Sequence, residues 1–317
     1  MGKKAKGKII NKKGLKGALI RHEAKEKLRK KEDKLINVKK ENQKLKEKSM
    51  KNGNKKTGKA QLIDTKAFIP FNKDEKVLLV GEGDFSFAMS LVEEDFIKPD
   101  NLIATSYDSV DEINLKYPAA KEKLEFLKSR GVKLLHDIDA TSLVKSLKLN
   151  PSNKKKTGGK QLFDDGGQLN KIMFNFPHTG RGMKDVDRNI ADHQKLILGY
   201  FKSCKEVFSV INKDFTSEYG GYLTDKNNGK IIISVFEGEP YRSWEIKSLG
   251  RSQEFMVERS GKFQWLMFPS YHHKRTNSER DTTKPASERS ARIYVFSSKK
   301  AIDSNKNNVD GASSEED

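Results

Sequence analysis

The feature that most constrains this chain is a short apolar run that ends in a glycine turn, Val77-Leu78-Leu79-Val80-Gly81-Glu82-Gly83. Four consecutive apolar residues predict a strand that is buried on both faces. The two glycines then allow a sharp backbone turn into a helix that begins near Phe85. The N-terminus of such a helix, with no bulky Cβ beside it, accommodates part of a ligand against the main chain. The turn alone is equally compatible with a connection that binds nothing.

A second apolar strand adds a signal at the right separation. It covers residues 102–107 and ends at Asp108, 25 residues after Gly83. In a β-α-β unit this carboxylate lies at the tip of the second strand, where it accepts hydrogen bonds from the ribose hydroxyls of a dinucleotide or an adenosyl cofactor. The two signals together favour an adenosine-containing ligand and leave its identity open.

Strands and helices alternate along the rest of the chain. Apolar segments predict further strands at residues 132–136, 171–176, 230–236, 255–257 and 291–296. Helical periodicity predicts helices over residues 85–95, 109–129, 185–211 and 241–249, the second of them interrupted at Tyr117-Pro118. This alternation predicts an α/β fold with an open, mostly parallel, seven-stranded sheet and helices on both of its faces.

The ends of the first four strands carry the residues with unusual chemistry. Ligands in open α/β sheets bind past the carboxyl ends of the strands. There the chain has the glycine turn, Asp108, the pair Asp137 and Asp139, and the run Asn175-Phe176-Pro177-His178. An acidic residue after the third strand either accepts a hydrogen bond from an adenine amino group or caps the next helix, and both roles are open for Asp139.

Charge divides the chain into three parts. Residues 1–60 contain 23 Lys plus Arg against 6 Asp plus Glu, a net charge of +17 out of the total of +19. This composition cannot bury a core, and it predicts a disordered or helical basic arm that binds RNA and directs the chain to the nucleolus. Residues 61–298 form the predicted catalytic domain, and residues 299–317 a disordered acidic tail. A solvated arm without a partner is the alternative.

Several classes of protein are disfavoured by composition. The single cysteine, Cys204, excludes an intramolecular disulfide and is best explained as a small buried hydrophobe. No apolar run approaches the roughly 20 residues that span a bilayer, which predicts a soluble, intracellular protein. His272 and His273 have no cysteine or acid nearby at a metal-ligand spacing, so we expect no metal site.

The run at the fourth strand end distinguishes two classes of enzyme. Enzymes that methylate ring or amino nitrogens from S-adenosylmethionine often place Asn or Asp, two prolines and an aromatic residue there, because a rigid backbone holds a planar base against the methyl group. Asn175 and Pro177 fit this pattern loosely, and Phe176 is available to pack on a base. An NAD-dependent oxidoreductase, the alternative enzyme, is supported by the glycine turn and Asp108 only. An ordinary strand exit shaped by Arg181 is the remaining alternative.

Together these segments resemble the large-subunit ribosomal RNA (uridine-N3) methyltransferase family of fungi. The resemblance covers about residues 70–297. It rests on Gly81-Glu82-Gly83-Asp84-Phe85-Ser86-Phe87, Ala104-Thr105-Ser106-Tyr107-Asp108, Asp139-Ala140-Thr141, Asn175-Phe176-Pro177-His178-Thr179-Gly180 and Tyr271-His272-His273-Lys274-Arg275-Thr276. The first of these strings is far more selective than Gly-x-Gly. One departure from methyltransferases at large is Leu79, which stands where an acidic residue is usual.

The resemblance implies a Rossmann-like class I methyltransferase fold, S-adenosylmethionine as cofactor, and large-subunit rRNA or a preribosome as partner in the nucleolus. It assigns cofactor binding to Gly81, Glu82, Gly83, Asp84, Phe85, Ser86, Asp108, Asp137, Asp139 and Ala140. It assigns catalysis to Asn175, Pro177 and His178, and substrate binding to Phe176, Arg181, His273, Lys274 and Arg275.

The implied reaction requires a base. N3 of uridine carries a proton that has to leave before or during attack, and His178 is the candidate acceptor because imidazole titrates near physiological pH. A target in a helix also has to be flipped out of the stack. A protein of another class, a noncatalytic RNA-binding ribosome-assembly factor with a degenerate methyltransferase fold, would retain the basic arm without the transfer.

Overall fold

The structure is a computed structural model that describes residues 68–149, 162–212, 229–274 and 286–299. The predictions for the arm (residues 1–60), for Arg275 and for residues 300–317 lie outside these residues. Seven strands form one sheet in the order β3-β2-β1-β4-β5-β7-β6. They are β1 (Val77–Val80), β2 (Leu102–Thr105), β3 (Lys133–Leu135), β4 (Lys171–Asn175), β5 (Lys230–Phe236), β6 (Phe255–Lys262) and β7 (Ala291–Ser298).

The direction of the strands confirms the predicted mostly parallel sheet. Strands β1 to β5 are parallel to one another, and β7 runs antiparallel to both β5 and β6. Six helices are described: α1 (Ser86–Glu93), α2 (Val110–Lys116), α3 (Ala120–Ser129), α4 (Leu143–Ser146), α5 (Val186–Ile211) and α6 (Ile246–Ser252). No helix in the described part of the chain is long and apolar enough to cross a bilayer.

The helices cover both faces of the sheet, as predicted. Val77 and Leu79 of β1 pack with α1, α2 and α3 on one face, and Leu78 and Val80 pack with α4, α5 and α6 on the other. All four residues of β1 are at most 1% exposed, which confirms the strand buried on both faces. Cys204 lies in the second core as a free, buried thiol.

Two predictions about local structure were wrong. The helix predicted over residues 241–249 is a 3-10 turn, Arg242–Trp244, followed by α6, because Glu245 takes a left-handed backbone with φ of 53°. The sixth strand extends to Lys262 rather than residue 257, since an edge strand exposes polar side chains and leaves no apolar run.

The connection from β6 to β7 returns across the sheet to α1. We call its described part, residues 263–274, the return segment. Its Phe268 and Tyr271 rings lie 5.0 and 5.2 Å from the ring of Phe87 on α1. His272 hydrogen-bonds to Ser86, 186 residues away in sequence. The return segment therefore lies beside the glycine turn at the carboxyl edge of β1.

Candidate active site

A cavity of about 810 Å³ lies at the carboxyl edge of the sheet. Four groups of residues line it: the glycine turn, the segments that follow β2 and β3, the exit of β4 with one side of α5, and the end of the return segment. Many of the residues predicted from the sequence as site residues line this cavity. They are Gly81, Glu82, Gly83, Asp84, Asp108, Asp139, Ala140, Asn175, Phe176, His178, Arg181, His273 and Lys274.

The two glycines of the turn serve different purposes. Gly81 has φ of 71°, and a Cβ there would lie 2.4 Å from Cε2 of Phe174, so the fold itself requires glycine. A Cβ on Gly83 would come no closer than 3.6 Å to the Tyr117 hydroxyl, which is ordinary van der Waals contact. Gly83 also lines the cavity. The absence of a side chain at residue 83 therefore leaves space for a ligand in the cavity, whereas its absence at residue 81 avoids a clash within the protein.

Glu82 is a buried carboxyl group in the wall of this cavity. It is 8% exposed, and the Ala88 N–H donates to its Oε2 at 3.3 Å. Burial raises the pKa of Glu82 to about 8, and the nearby Asp84 charge contributes, whereas the backbone hydrogen bonds oppose the shift. The ionised form of Glu82 is therefore unfavourable without a partner, and a cation in the cavity would favour it.

The acidic residues after β2 and β3 do not behave alike. Asp108 lines the cavity and pairs with Lys116 at 2.6 Å. Asp139 also lines it, with Oδ1 accepting from the Thr141 N–H and hydroxyl, both at 2.8 Å. Asp137, also predicted as a cofactor ligand, is exposed, has a left-handed backbone (φ of 59°) and is not among the residues that line the cavity, whereas its neighbour Ile138 is.

Phe85 and Ser86 were also predicted as cofactor ligands, and neither lines the cavity. Phe85 is wholly buried, with its ring edge against His136 at 5.6 Å. Ser86 is 1% exposed and hydrogen-bonds to Asp84 and to the backbone of His272. Both residues lie at the start of α1, below the turn, where they hold neighbouring parts of the protein.

The exit of β4 presents Asn175 at the cavity. Its Oδ1 accepts a hydrogen bond from the Ser234 hydroxyl at 2.7 Å, which fixes the amide orientation. Its Nδ2 is buried without a hydrogen-bond partner among the described residues. An orphaned buried donor is costly, so its place in a cavity wall is explained best by a ligand that accepts from it.

Phe176 and Pro177 have structural surroundings that sequence did not reveal. Phe176 lines the cavity, but its ring packs at 4.5 Å from Phe236 and 5.5 Å from Trp265 and is only 8% exposed. It belongs to an aromatic cluster and is not a free platform for a base. Pro177 is buried and does not line the cavity, so its predicted catalytic role is limited to shaping the strand exit.

His178 is held in one orientation. The Gly180 N–H donates to its Nδ1 at 2.9 Å, so the neutral ring carries its proton on Nε2. The edge of the ring meets His193 on α5 at 4.6 Å, and His193 stacks on Trp244 at 4.3 Å. In this arrangement His178 is a hydrogen-bond donor at Nε2. Its predicted role as a base stays a prediction, and it requires Nδ1 to release the Gly180 N–H.

Sequence reasoning missed the part of the site that α5 supplies. His193 accepts from the Thr179 N–H at 3.5 Å, and Asp192 pairs with Arg181 at 2.8 Å, so α5 fixes the loop after β4 at two points. Lys195 and Lys202 also line the cavity. The only signal available was the spacing of polar residues along one side of a long helix, which a solvated face would produce equally well.

The return segment supplies the last wall. His273 is packed against Phe176 and Phe236, and burial, followed by the Arg289 charge, lowers the pKa of His273 to about 4. His273 is therefore neutral at physiological pH, and in the substrate-binding role predicted for it the ring would act through hydrogen bonds rather than charge. Lys274 lines the cavity. No cluster of three His, Cys, Asp or Glu residues suited to a metal occurs in the described ranges.

The sheet order, the glycine turn and the Asn175 exit together define a Rossmann-like methyltransferase. The family model described as rRNA (uridine-N3-)-methyltransferase BTM5-like matches residues 78–275. The chain is 44% identical over 94% of its length to the "25S rRNA (uridine(2634)-N(3))-methyltransferase" of Saccharomyces cerevisiae, 94% of which is covered. It is 30% identical over 66% of its length to "Uncharacterized protein At4g26485" of Arabidopsis thaliana, 86% of which is covered. The chain therefore belongs to the rRNA (uridine-N3-)-methyltransferase family.

The two glycines yield a matched pair of variants. We expect Gly83→Ala to retain the unfolding free energy of the wild type while weakening binding of S-adenosylmethionine at least about tenfold, because its Cβ occupies the cavity. We expect Gly81→Ala to lose about 2–4 kcal/mol of unfolding free energy, because it is both strained and overpacked. Denaturant unfolding and cofactor titration measure the two effects. Equal destabilisation by both variants would contradict the distinction.

Glu82→Gln tests the buried carboxyl group. A folded-state pKa of about 8 against 4.5 means that the stability contributed by the protonated form is complete below pH 4.5 and is lost as the pH rises to 8. Glutamine does not ionise, so the variant should gain about 1–4 kcal/mol over the wild type by pH 8. Urea unfolding at pH 5, 6.5 and 8 measures this. Exposed Glu94→Gln is the control, and parallel pH curves for wild type and Glu82→Gln would refute the claim.

Proposed function

We propose that this chain transfers a methyl group from S-adenosylmethionine to N3 of a uridine in large-subunit rRNA during ribosome biogenesis. The observation that carries the proposal is the continuity of the cavity, which runs from Gly83 at the cofactor turn to Asn175 and His178 at the exit of β4. A methyl donor and a planar base therefore have access to the same space. The 44% identity with the yeast enzyme supports uridine N3 as the target.

The residues at the turn fit an adenosyl cofactor. Gly83 leaves open the space beside the main chain, and Asp108, paired with Lys116, is a fixed acceptor for ribose hydroxyls. S-adenosylmethionine, when bound, supplies a methyl group on a positively charged sulfur. Glu82 has the chemistry to balance a positive charge, since its buried carboxyl group lacks a cationic partner in the described structure. These residues bind and orient, which is the main task in an in-line transfer.

The residues at the β4 exit fit the pairing edge of uracil. That edge presents N3–H between two carbonyl groups, so donors should flank the reacting nitrogen. Asn175 Nδ2 is a donor without a partner among the described residues, and His178 carries its proton on Nε2. We assign both to uracil carbonyl oxygens. The N3 proton still needs an acceptor. His178 would accept it only as the other tautomer, with Nδ1 protonated, the Gly180 N–H displaced and Nε2 free, and in that state it no longer donates to a carbonyl oxygen.

One side of α5 fits an RNA backbone beside the cavity. Lys195 and Lys202 are exposed, lie seven residues apart and so face the same way, and both line the rim. Neither has an ion-pair partner within the described chain. Free cations at a fixed spacing suit phosphates. The net charge of +17 in residues 1–60 supports additional RNA binding and the proposed nucleolar location.

Reconstitution of the reaction tests the proposed function. The full chain, S-adenosylmethionine and unmodified large-subunit rRNA should yield 3-methyluridine in a nucleoside digest analysed by mass spectrometry. We expect Asp108→Asn to lower the yield at least about tenfold, because the ribose acceptor is weakened. The exposed Asp187→Asn, with the same charge change, is the control. A different methylated nucleoside would refute uridine, and RNA binding without methylation would favour an assembly factor.

The α5 lysines predict a change in salt dependence. Replacing Lys195 and Lys202 with Ala should weaken RNA binding and reduce the slope of log affinity against log salt by about one to two, because up to two phosphate contacts are lost. The double variant of Lys128 and Lys145, exposed residues that do not line the cavity, has the same net charge and should retain the slope. Fluorescence anisotropy over a salt series measures both. Equal slopes for the two double variants would exclude this RNA path.

A further inference from the structure

We propose that Ser86 is a positioning residue whose hydroxyl fixes the return segment to the cofactor turn and so keeps the substrate side of the cavity in place. Ser86 is 1% exposed and is not among the residues that line the cavity, so we place it behind the cavity wall rather than in contact with cofactor or substrate. Its effect has to pass through the residues that it holds. The proposal rests on the proposed function only in taking RNA as the substrate whose binding is affected.

A chain of polar contacts joins the two sides. The His272 N–H donates to Ser86 Oγ at 3.1 Å, and Ser86 Oγ donates to Asp84 Oδ1 at 2.6 Å. The shorter bond to a carboxylate takes the single hydroxyl proton, although the His272 carbonyl oxygen also lies within 3.3 Å. Asp84 Oδ2 in turn pairs with Lys123 of α3 at 3.1 Å. A hydroxyl that accepts from one segment and donates to another is needed at the centre of this chain.

The segment that Ser86 holds carries cavity residues. Tyr271, His272, His273 and Lys274 are consecutive, and all line the cavity. The Tyr271 hydroxyl lies 3.2 Å from Nδ1 of His273, and the Tyr271 ring packs edge-on against Phe87. Phe87 and Ser86 are neighbours at the start of α1, so packing and hydrogen bonding act on the same short stretch. Displacement of the His272 backbone would displace His273 and Lys274 directly.

The contact joins the cavity walls that the cofactor and the substrate would use. Asp84 lines the cavity on the cofactor side, and its Oδ1 also accepts the Ser86 N–H at 3.1 Å. Asp84 therefore retains a backbone donor and Lys123 when the hydroxyl is removed, whereas the His272 N–H loses its partner. Removal of the hydroxyl should therefore destabilise the position of the return segment, and the affinity for S-adenosylmethionine should change little.

Ser90 provides a matched control on the same helix. It lies one turn after Ser86, is wholly buried, and its Oγ has no hydrogen-bond partner among the described residues. Ser90→Ala removes the same atom from the same helix without breaking a hydrogen bond. A general effect of deleting a buried hydroxyl from α1 would appear in both variants, and an effect of the contact with His272 only in Ser86→Ala.

The experiment measures three quantities in the full chain for wild type, Ser86→Ala and Ser90→Ala. They are amide hydrogen exchange of the return segment, the dissociation constant of S-adenosylmethionine, and KM and kcat with rRNA. For Ser86→Ala we expect exchange at His272 to accelerate and KM for RNA to rise, each by about tenfold. The cofactor dissociation constant should stay within about threefold. Ser90→Ala should match the wild type throughout. Ser86→Cys, which nearly keeps the volume, replaces Ser86→Ala if the latter is poorly folded.

The readouts separate this proposal from the proposed function. Unchanged exchange at His272 in Ser86→Ala would overturn the positioning role, as would faster exchange with unchanged KM, or equal effects in Ser90→Ala. If the wild type itself methylates no RNA, the proposed function fails. Hydrogen exchange would still decide whether Ser86 fixes the return segment, because that measurement requires no substrate.

Discussion

The close approach of β1 and β4 at Gly81 is the contact on which the rest of the site depends. A Cβ there would collide with the Phe174 ring, and the left-handed backbone of Gly81 turns the chain away from the sheet at that point. The same contact keeps the end of β1 beside the end of β4, so that the turn and Asn175 share one cavity. A methyl donor and an acceptor base have to lie within van der Waals distance of each other, and the pairing of β1 with β4 places both binding regions beside the same cavity.

The residues around the turn perform two tasks at once. Gly81 to Asp84 line the cavity, whereas Phe85, Ser86 and Phe87 begin α1 and hold neighbouring parts of the protein. Only the first half of the signature that led from sequence to family therefore lines the cavity. Its second half is explained by packing against His136 and against the return segment. A buried, destabilised carboxyl group at Glu82 completes a turn that is built for binding at some cost in stability.

Sequence predicted those features that local patterns encode. Continuous apolar runs located β1, β2, β4 and β5, and Asp185 marked the start of the 26-residue α5. Features of the site that depend on contacts between distant residues or on backbone conformation could not be predicted from the sequence. The docking of His272 on Ser86 has no periodic signal, and no sequence pattern shows that only Asp139 of the pair Asp137 and Asp139 lines the cavity. The pKa of His273 likewise depends on burial by aromatic residues from two separate segments, those of Phe176 and Phe236.

The central claim is that one cavity brings a methyl donor to N3 of a uridine in large-subunit rRNA. The most direct measurement is mass spectrometry of nucleosides from that rRNA in cells that lack the protein, with and without wild-type or Asp108→Ala protein supplied back. The account predicts loss of 3-methyluridine, full restoration by the wild type and none by the variant. Unchanged 3-methyluridine in cells that lack the protein would contradict it.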